Sequence, residues 1–472
     1  MYDAIIVGSG PNGLGAAIEL ARNGVSVKVY EAEDSIGGGT RTDQLTLPGF
    51  HHDICSAIHP LAAGSPFLSE LPLEDHGLEW IQPEYPLAHP LDDAPAVLLR
   101  RSLEKTAHDL EEDEAAYRKL FEPLTSHWNQ LAPQLLAPFT LLPRNPIRMA
   151  RFGLKALQSA KRLATNEFTG RKARALFAGL AAHSILPLDA AATSAIGLVL
   201  GSAGHALGWP LPRGGSHAIT RSMASYLRSI GGEIETGTRI TSLRQLPGFK
   251  ALLFDLTPRQ VLQIAGTVVP ESFARKLDRF EYGAGVFKVD MALDGPIPWR
   301  DPNCGKAGTV HLGGTLEEIM DSENTLKTGK HAERPYVLVA QQSLFDPGRA
   351  PEGKHTVWAY CHVPNGSMKD MTSAIENQIE RFAPGFKDLI LERHVMNTAD
   401  LQNYNANYIG GDINGGKQDL GQLFTRPAGL FDPYHIPDTS LYICSSSTPP
   451  GGGVHGMCGF HAARSALKRH FG

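Results

Sequence analysis

Apolar and polar positions along the chain divide it into alternating strand-like and helix-like stretches. Ala4-Ile5-Ile6-Val7 is a short continuous apolar run, the pattern of a central parallel strand covered on both faces. A helix-like segment follows, with Gly13, Ala17, Leu20 and Gly24 on one face, and then a second strand over Val25–Val29. Further on, Ile219, Met223, Leu227 and Ile230 share one face of a helix that closes at Gly231-Gly232. The runs Val286–Leu293, Tyr336–Gln341 and Thr356–Val363 read as strands, whereas 91–208 reads as helical, with Glu104–Arg118 on solvent-facing helices. Within 439–463 a last strand leads through a glycine-rich turn into a terminal helix. No apolar run of about 18 residues is uninterrupted, so no transmembrane helix is expected.

The joints between these elements carry the chemistry. Between the first strand and first helix lies Gly8-Ser9-Gly10-Pro11-Asn12-Gly13. Gly8 suits a tight turn, Gly10 admits a pyrophosphate, and Gly13 lets helix and strand pack closely. The helix start, with Pro11 and Asn12, turns free N–H groups towards the phosphates. Glu31, at the end of the second strand, is spaced to hydrogen-bond an adenosine ribose, with Ala32 beside it. The complete strand–turn–helix–strand–acid context points to nucleotide binding, where an isolated Gly-rich loop would not. Gly37-Gly38-Gly39-Thr40-Arg41 follows and resembles the GG-containing extension of flavoproteins, where backbone approaches FAD. Arg41 reads equally as a charge partner or as a solvated loop arginine.

A second glycine cluster lies near the other end, Pro450-Gly451-Gly452-Gly453-Val454-His455-Gly456, after Ser445-Ser446-Ser447. A strand, a glycine turn and a helix start aim N–H groups and a helix dipole at an electron-rich group. In a flavoprotein that group is the N1–C2=O edge of the ring. The plain alternative is a hinge before the terminal helix.

Together with Pro212-Arg213-Gly214-Gly215-Ser216, these motifs resemble the phytoene-desaturase-like branch of the FAD-dependent amine-oxidase superfamily. Phe287-Lys288-Val289-Asp290 and the glycine-rich 410–416 segment are similar to its subgroup of the pyridine nucleotide-disulfide oxidoreductase domain-containing protein 2 type. The resemblance implies an α/β fold: a Rossmann-like FAD-binding domain (1–90, 209–284 and 428–472) interwoven with an α+β substrate domain (91–208 and 285–427), helices plus a mostly antiparallel sheet. It implies FAD held by Gly8, Gly10, Pro11, Asn12, Gly13, Glu31, Ala32, Gly38, Gly39, Thr40, Arg41, Ser446, Gly452, Gly453, Val454 and His455. The chain departs from the family where Gly39 replaces the arginine of Gly-Gly-Arg, and where Ser445-Ser446-Ser447 leaves no carboxylate beside the ribityl chain.

The implied activity is that of a desaturase, saturase or isomerase: hydride transfer between flavin N5 and a C–H or C=C bond of an apolar, isoprenoid or lipid substrate. An amine-oxidase-like enzyme using oxygen and a non-enzymatic FAD-holding interaction protein are the alternatives. No proton-transfer residue stands out: His59, His205, His217 and His455 read first as packed histidines, and Lys288 with Asp290 as surface charge. Asp412 and Asn414 fit a cavity wall or a polar turn equally. A second GxGxxG unit is missing, which disfavours a dedicated NAD(P)H domain.

Composition narrows the remainder. With 472 residues, 44 Lys+Arg against 49 Asp+Glu and a net charge of −5, the chain has no basic excess for nucleic acid. Its 49 glycines exceed the usual share, about 7%. The five cysteines (Cys55, Cys304, Cys361, Cys444, Cys458) form no CxxC pair or metal-spaced set, so no metal is expected and a reducing, cytoplasmic setting is. The first strand starts too close to Met1 to leave room for a signal peptide. Within 123–208, a basic stretch (Arg144, Arg148, Arg151, Lys155, Lys161, Arg162) precedes an almost uncharged one. That pairing suits a peripheral membrane contact, and also a buried helix pair with a solvated basic face. Oligomeric state is not legible.

Overall fold

The structure, a computed structural model, describes residues 2–139 and 143–472; residues 140–142 of the 123–208 stretch lie outside the described residues. Ala4–Val7, buried along its length, runs parallel to Val27–Tyr30 on one side and Ala251–Phe254 on the other. Leu441–Ile443 and Glu233–Glu235 complete a five-stranded parallel sheet, so residues far apart in sequence share one layer. Continuous apolar runs suit this sheet because helices cover it.

The first helix, Pro11–Arg22, starts with Gly10 as N-cap and Pro11 preset for helical φ, and the N-cap residue has no side chain to take its free N–H groups. It packs against the terminal helix Met457–His470 at very close range: a Cβ on Gly459 would stand 1.8 Å from the Asn12 carbonyl oxygen.

The second layer is a seven-stranded sheet, ordered Ile390–Met396, Gly285–Leu293, His355–Val363, Val337–Ala340, Ala307–Leu312, Tyr85–His89, Val97–Leu99. Its pairings are antiparallel except Ala307–Leu312 with Tyr85–His89. Tyr85–His89 falls within the expected FAD-side segment 1–90, yet its hydrogen bonds belong to this sheet. Val97–Leu99, inside the stretch read as helical, joins it. Pro86 and His89 mask the first strand's pattern, and three residues carry too little periodicity to mark the second.

Helices from 103 to 206 stack on the inner face of this sheet. The almost uncharged part of 123–208 starts at Ala175, past the basic first turn of Arg171–Ala182, and that helix forms a buried pair with Thr193–Ala206 within the largest apolar core. Pro146–Ala156 differs: only Ala156 is buried, while Ile147 and Leu154 are 70% and 73% exposed. Among the described residues no helix is long and apolar enough to cross a membrane.

Candidate functional site

Between the two sheets lies a cavity of about 2010 Å³, its open mouth included. One end is built from the loops of the parallel sheet. Gly8, Gly10, Pro11, Asn12, Glu31, Ala32, Gly38, Gly39, Thr40, Arg41, Ser446, Gly452, Gly453 and Val454 all line it. Gly13 and His455, expected with them, do not.

Gly13 lies beneath the loop. Its N–H donates to Asp255 Oδ2 at 2.9 Å, and a Cβ there would meet the Gly8 carbonyl oxygen at 2.1 Å. His455 is buried against the start of the terminal helix, where Nδ1 accepts the Met457 N–H and the backbone carbonyl accepts the Ser65 hydroxyl. Burial pushes its pKa down to about 4, so the ring is neutral. The glycine turn brings backbone to the cavity, whereas this side chain points into the packing behind it.

At the carboxyl end of the second strand, Glu31 is only 7% exposed. Its Oε2 accepts the Ser9 N–H at 2.9 Å and the Ser9 hydroxyl at 2.6 Å, which leaves Oε1 for the Glu33 N–H and Arg41 Nη2. Arg41 is thus a buried partner of Glu31, stacked over Tyr404, and not a solvated loop residue.

Sequence reasoning missed several groups that shape this end. Asp255 follows the strand Ala251–Phe254, whose parallel pairing with Ala4–Val7 sets it beneath the glycine loop. Burial and the Glu31 charge raise its pKa to about 7, against the opposing Gly13 N–H. The segment 404–408 crosses the glycine extension: the Tyr404 hydroxyl donates to the Gly38 carbonyl at 2.7 Å, and Asn407 Nδ2 to the Asp255 carbonyl at 2.9 Å. Arg426, fully buried, donates to the carbonyls of Gly415, Gly416, Ser446 and Ser447, fastening the late glycine turn to residues 415–416. An aspartate just after an apolar strand was the only one of these signals available in the sequence.

These residues fit a dinucleotide. Asn12 Oδ1 is buried without a partner at the start of the first helix, where the Gly13 N–H already goes to Asp255. A Cβ on Gly10 would meet Asp255 Oδ2 at 2.6 Å, on Gly39 the Tyr408 hydroxyl at 2.2 Å, and on Gly452 Asn414 Oδ1 at 2.9 Å. Bare backbone is therefore required at each point of the cradle.

The other end of the cavity is walled by the seven-stranded sheet and the helices. Trp358, Tyr360, Leu338 and Thr309 come from the sheet, and His183, Ile196, Val199 and Leu200 from the helices. Lys288 and Asp290 lie on the same strand face as Tyr360 and Trp358 in register, and form a buried ion pair instead of surface charge. His59 lines the cavity, bonded through Nε2 to the Ser216 hydroxyl, with its pKa lowered to about 4 by burial. His205 is tied to Tyr117 and to the Arg100 carbonyl away from the cavity. Asn414 lines it, while the Asp412 carboxylate is taken up by the N–H groups of Gly283, Asn414 and Gly416. Among the described residues no cluster could hold a metal ion.

The fold, the glycine cradle and the carboxylate at the second strand belong to a class of dinucleotide-dependent oxidoreductases. The family model described as flavin containing amine oxidoreductase matches residues 13–386, and the chain belongs to that family. It is an FAD-dependent oxidoreductase. It is 27% identical to the mouse (Mus musculus) pyridine nucleotide-disulfide oxidoreductase domain-containing protein 2, over 99% of this chain and 93% of that protein. Phytoene desaturase (neurosporene-forming) from Rhodobacter capsulatus is a more partial relative, 24% identical over 52% of this chain and 51% of its own. A crystal structure of an oxidoreductase from Methanosarcina mazei shares the fold with a TM-score of 0.65, at 16% identity over 99% of this chain and 100% of that one.

Proposed function

We propose that the protein desaturates, saturates or isomerises an apolar substrate of the isoprenoid or lipid kind. The observation that carries this reading is the chemistry of the wall away from the glycine loops. Ile58, Leu61, Ile196, Val199, Leu200 and Leu338 line it, and the carboxylates lining the cavity (Glu31, Glu33 and Asp255) belong to the nucleotide end. An ammonium group would find no counter-ion on the apolar wall. Bound FAD supplies the hydride or electron chemistry at the flavin ring. The chain's own contribution is to exclude water, to hold a C–H or C=C bond in a fixed orientation, and to present backbone N–H groups from Gly452 to Gly456. The partial likeness to phytoene desaturase supports the reading. Anaerobic bleaching of the holoenzyme by an isoprenoid or lipid fraction, with no response to amines, is the expected result.

The amine-oxidase alternative has one observation in its favour: Trp358 and Tyr360 meet edge to face, 5.0 Å between centroids, and could receive a cation on their faces. Hydrogen peroxide release with amines, and none with apolar donors, would decide for it.

Membrane contact is a further part of the proposal, narrowed to the helix Pro146–Ala156 and Phe139. There the helix Pro146–Ala156 exposes Ile147 and Leu154 beside Arg148, Arg151 and Lys155, and Phe139 is 51% exposed nearby in sequence. An apolar stripe flanked by basic side chains suits an anionic lipid surface. Flotation with anionic liposomes at low salt, lost in Ile147→Glu/Leu154→Glu, is the expected outcome; a protein that stays at the bottom of the gradient refutes it.

A further inference from the structure

The apolar wall carries one polar patch. Thr309, on the strand Ala307–Leu312, lines the cavity at 3% exposure, and its hydroxyl has no hydrogen-bond partner. His311, two residues on, shares its strand face. His311 Nε2 lies 3.0 Å from Nε2 of His183, which lines the cavity from the end of the helix Arg171–Ala182. The Trp209 ring stands at right angles to His183, 5.9 Å between centroids, and closes the patch on one side. Trp209 also lines the cavity, and its indole N–H is buried and unpartnered beside Gly204.

Burying a hydroxyl without a partner costs about 1–3 kcal/mol, and nothing in the fold of this strand requires a threonine there. Valine would fill the same space. The patch therefore has the character of a recognition site, and its charge state limits what it can recognise. Burial takes the pKa of His183 down to about 3 and keeps His311 neutral as well, so neither ring offers a cation. Arg41 and Arg239, the arginines lining the cavity, stand with the nucleotide-end loops and strands, as do Glu31, Glu33 and Asp255. A carboxylate on the substrate would find no counter-charge at the patch, and neither would an ammonium. A neutral oxygen fits: it can accept from the Thr309 hydroxyl and from an imidazole N–H.

We propose that Thr309 and His183 bind a carbonyl or hydroxyl oxygen of the substrate, so that the molecule taken into the cavity is an apolar chain or ring bearing one neutral oxygen function, not a plain hydrocarbon. This rests on the apolar-substrate reading above and sharpens it. The patch fixes how the apolar skeleton is seated, because only one placement satisfies the oxygen.

The test compares probes of one skeleton. Farnesene, farnesol and farnesal share fifteen carbons and differ in carrying no oxygen, a hydroxyl or an aldehyde. Their binding to the FAD holoenzyme is followed by quenching of tryptophan fluorescence, Trp209 and Trp358 both lining the cavity. Farnesol or farnesal should bind about 10-fold tighter than farnesene, the size of one well-made hydrogen bond. Thr309→Val should abolish the difference and leave farnesene binding unchanged, and Thr309→Ser should restore it. His183→Phe provides a second, independent loss. Equal binding of the three probes, or a preference that survives both Thr309→Val and His183→Phe, overturns the inference while leaving the apolar-substrate reading intact. Binding of none of them overturns both.

Discussion

The carboxylate of Asp255 accepts the backbone N–H of Gly13 at 2.9 Å, directly under the loop that is shaped to receive a pyrophosphate. Burial and the neighbouring Glu31 raise its pKa from 3.8 to about 7. A carboxyl protonated in the folded state and ionised in the unfolded one stabilises the fold fully below pH 3.8, and that stability is lost as pH rises through about 7. Ionised, it also repels the diphosphate. FAD affinity of the wild type should therefore fall between pH 6 and 8, and Asp255→Asn should flatten the profile. Flavin fluorescence titrations at each pH read this directly; a wild-type profile as flat as the variant's would refute it.

Acid should unfold the protein by the opposite linkage. His52, His59, His89, His205, His455 and His461 are each held near pKa 4 by burial, against 6.5 when exposed. Depressed histidines contribute stability that is present above pH 6.5 and lost as pH falls towards 4. Each represents up to about 3 kcal/mol as an order of magnitude. A steep loss of ellipticity between pH 6.5 and 4 is expected, well above the range where carboxylates alone would act.

Asp53 joins pieces of chain that are distant in sequence. Its Oδ1 accepts the Ser216 N–H and the Thr42 hydroxyl, both at 2.7 Å, and Oδ2 lies 2.8 Å from Arg349 Nη2. Both ionic side chains are almost wholly buried, so removing one charge strands the other. Asp53→Asn should cost about 3–5 kcal/mol in urea unfolding. Replacing both partners with apolar residues should cost much less than the sum of the single changes.

Glycine substitutions should separate by what a Cβ would meet. Gly459→Ala drives a methyl into the Asn12 carbonyl, 1.8 Å away, and forces the terminal helix off the first one. It should lower the melting temperature by several degrees and release FAD. Gly153→Ala, in an exposed helix with open space around it, should instead be neutral or stabilise by up to about 1 kcal/mol.

What was legible in the chain follows from how local each signal is. The cradle could be read because Gly8, Gly10, Glu31 and Gly38 sit within one supersecondary unit, where each spacing has a steric reason. Lys288 and Asp290 misled because alternation marks a strand but not which face is covered; helices and the cavity cover this one. Asp255, Tyr404, Arg426 and Thr309 act on groups far away in sequence, and no local pattern announces such partners. His455 shows how a glycine turn can bring its backbone to a cavity while turning a side chain into the packing behind it.

The strand order of the parallel sheet also constrains how the protein is made. The first strand emerges from the ribosome beside its neighbour Val27–Tyr30, but its other neighbour, Ala251–Phe254, follows more than two hundred residues later. The wall holding Gly452 and Gly453, and the helix that locks Asn12, follow later still. A nascent chain can therefore begin the nucleotide site and not close it, so cofactor capture has to wait until the helix Met457–His470 has been made. A chain cut just before that helix would be flavin-free with an unsealed core, a substrate for proteolysis and not a weakened enzyme.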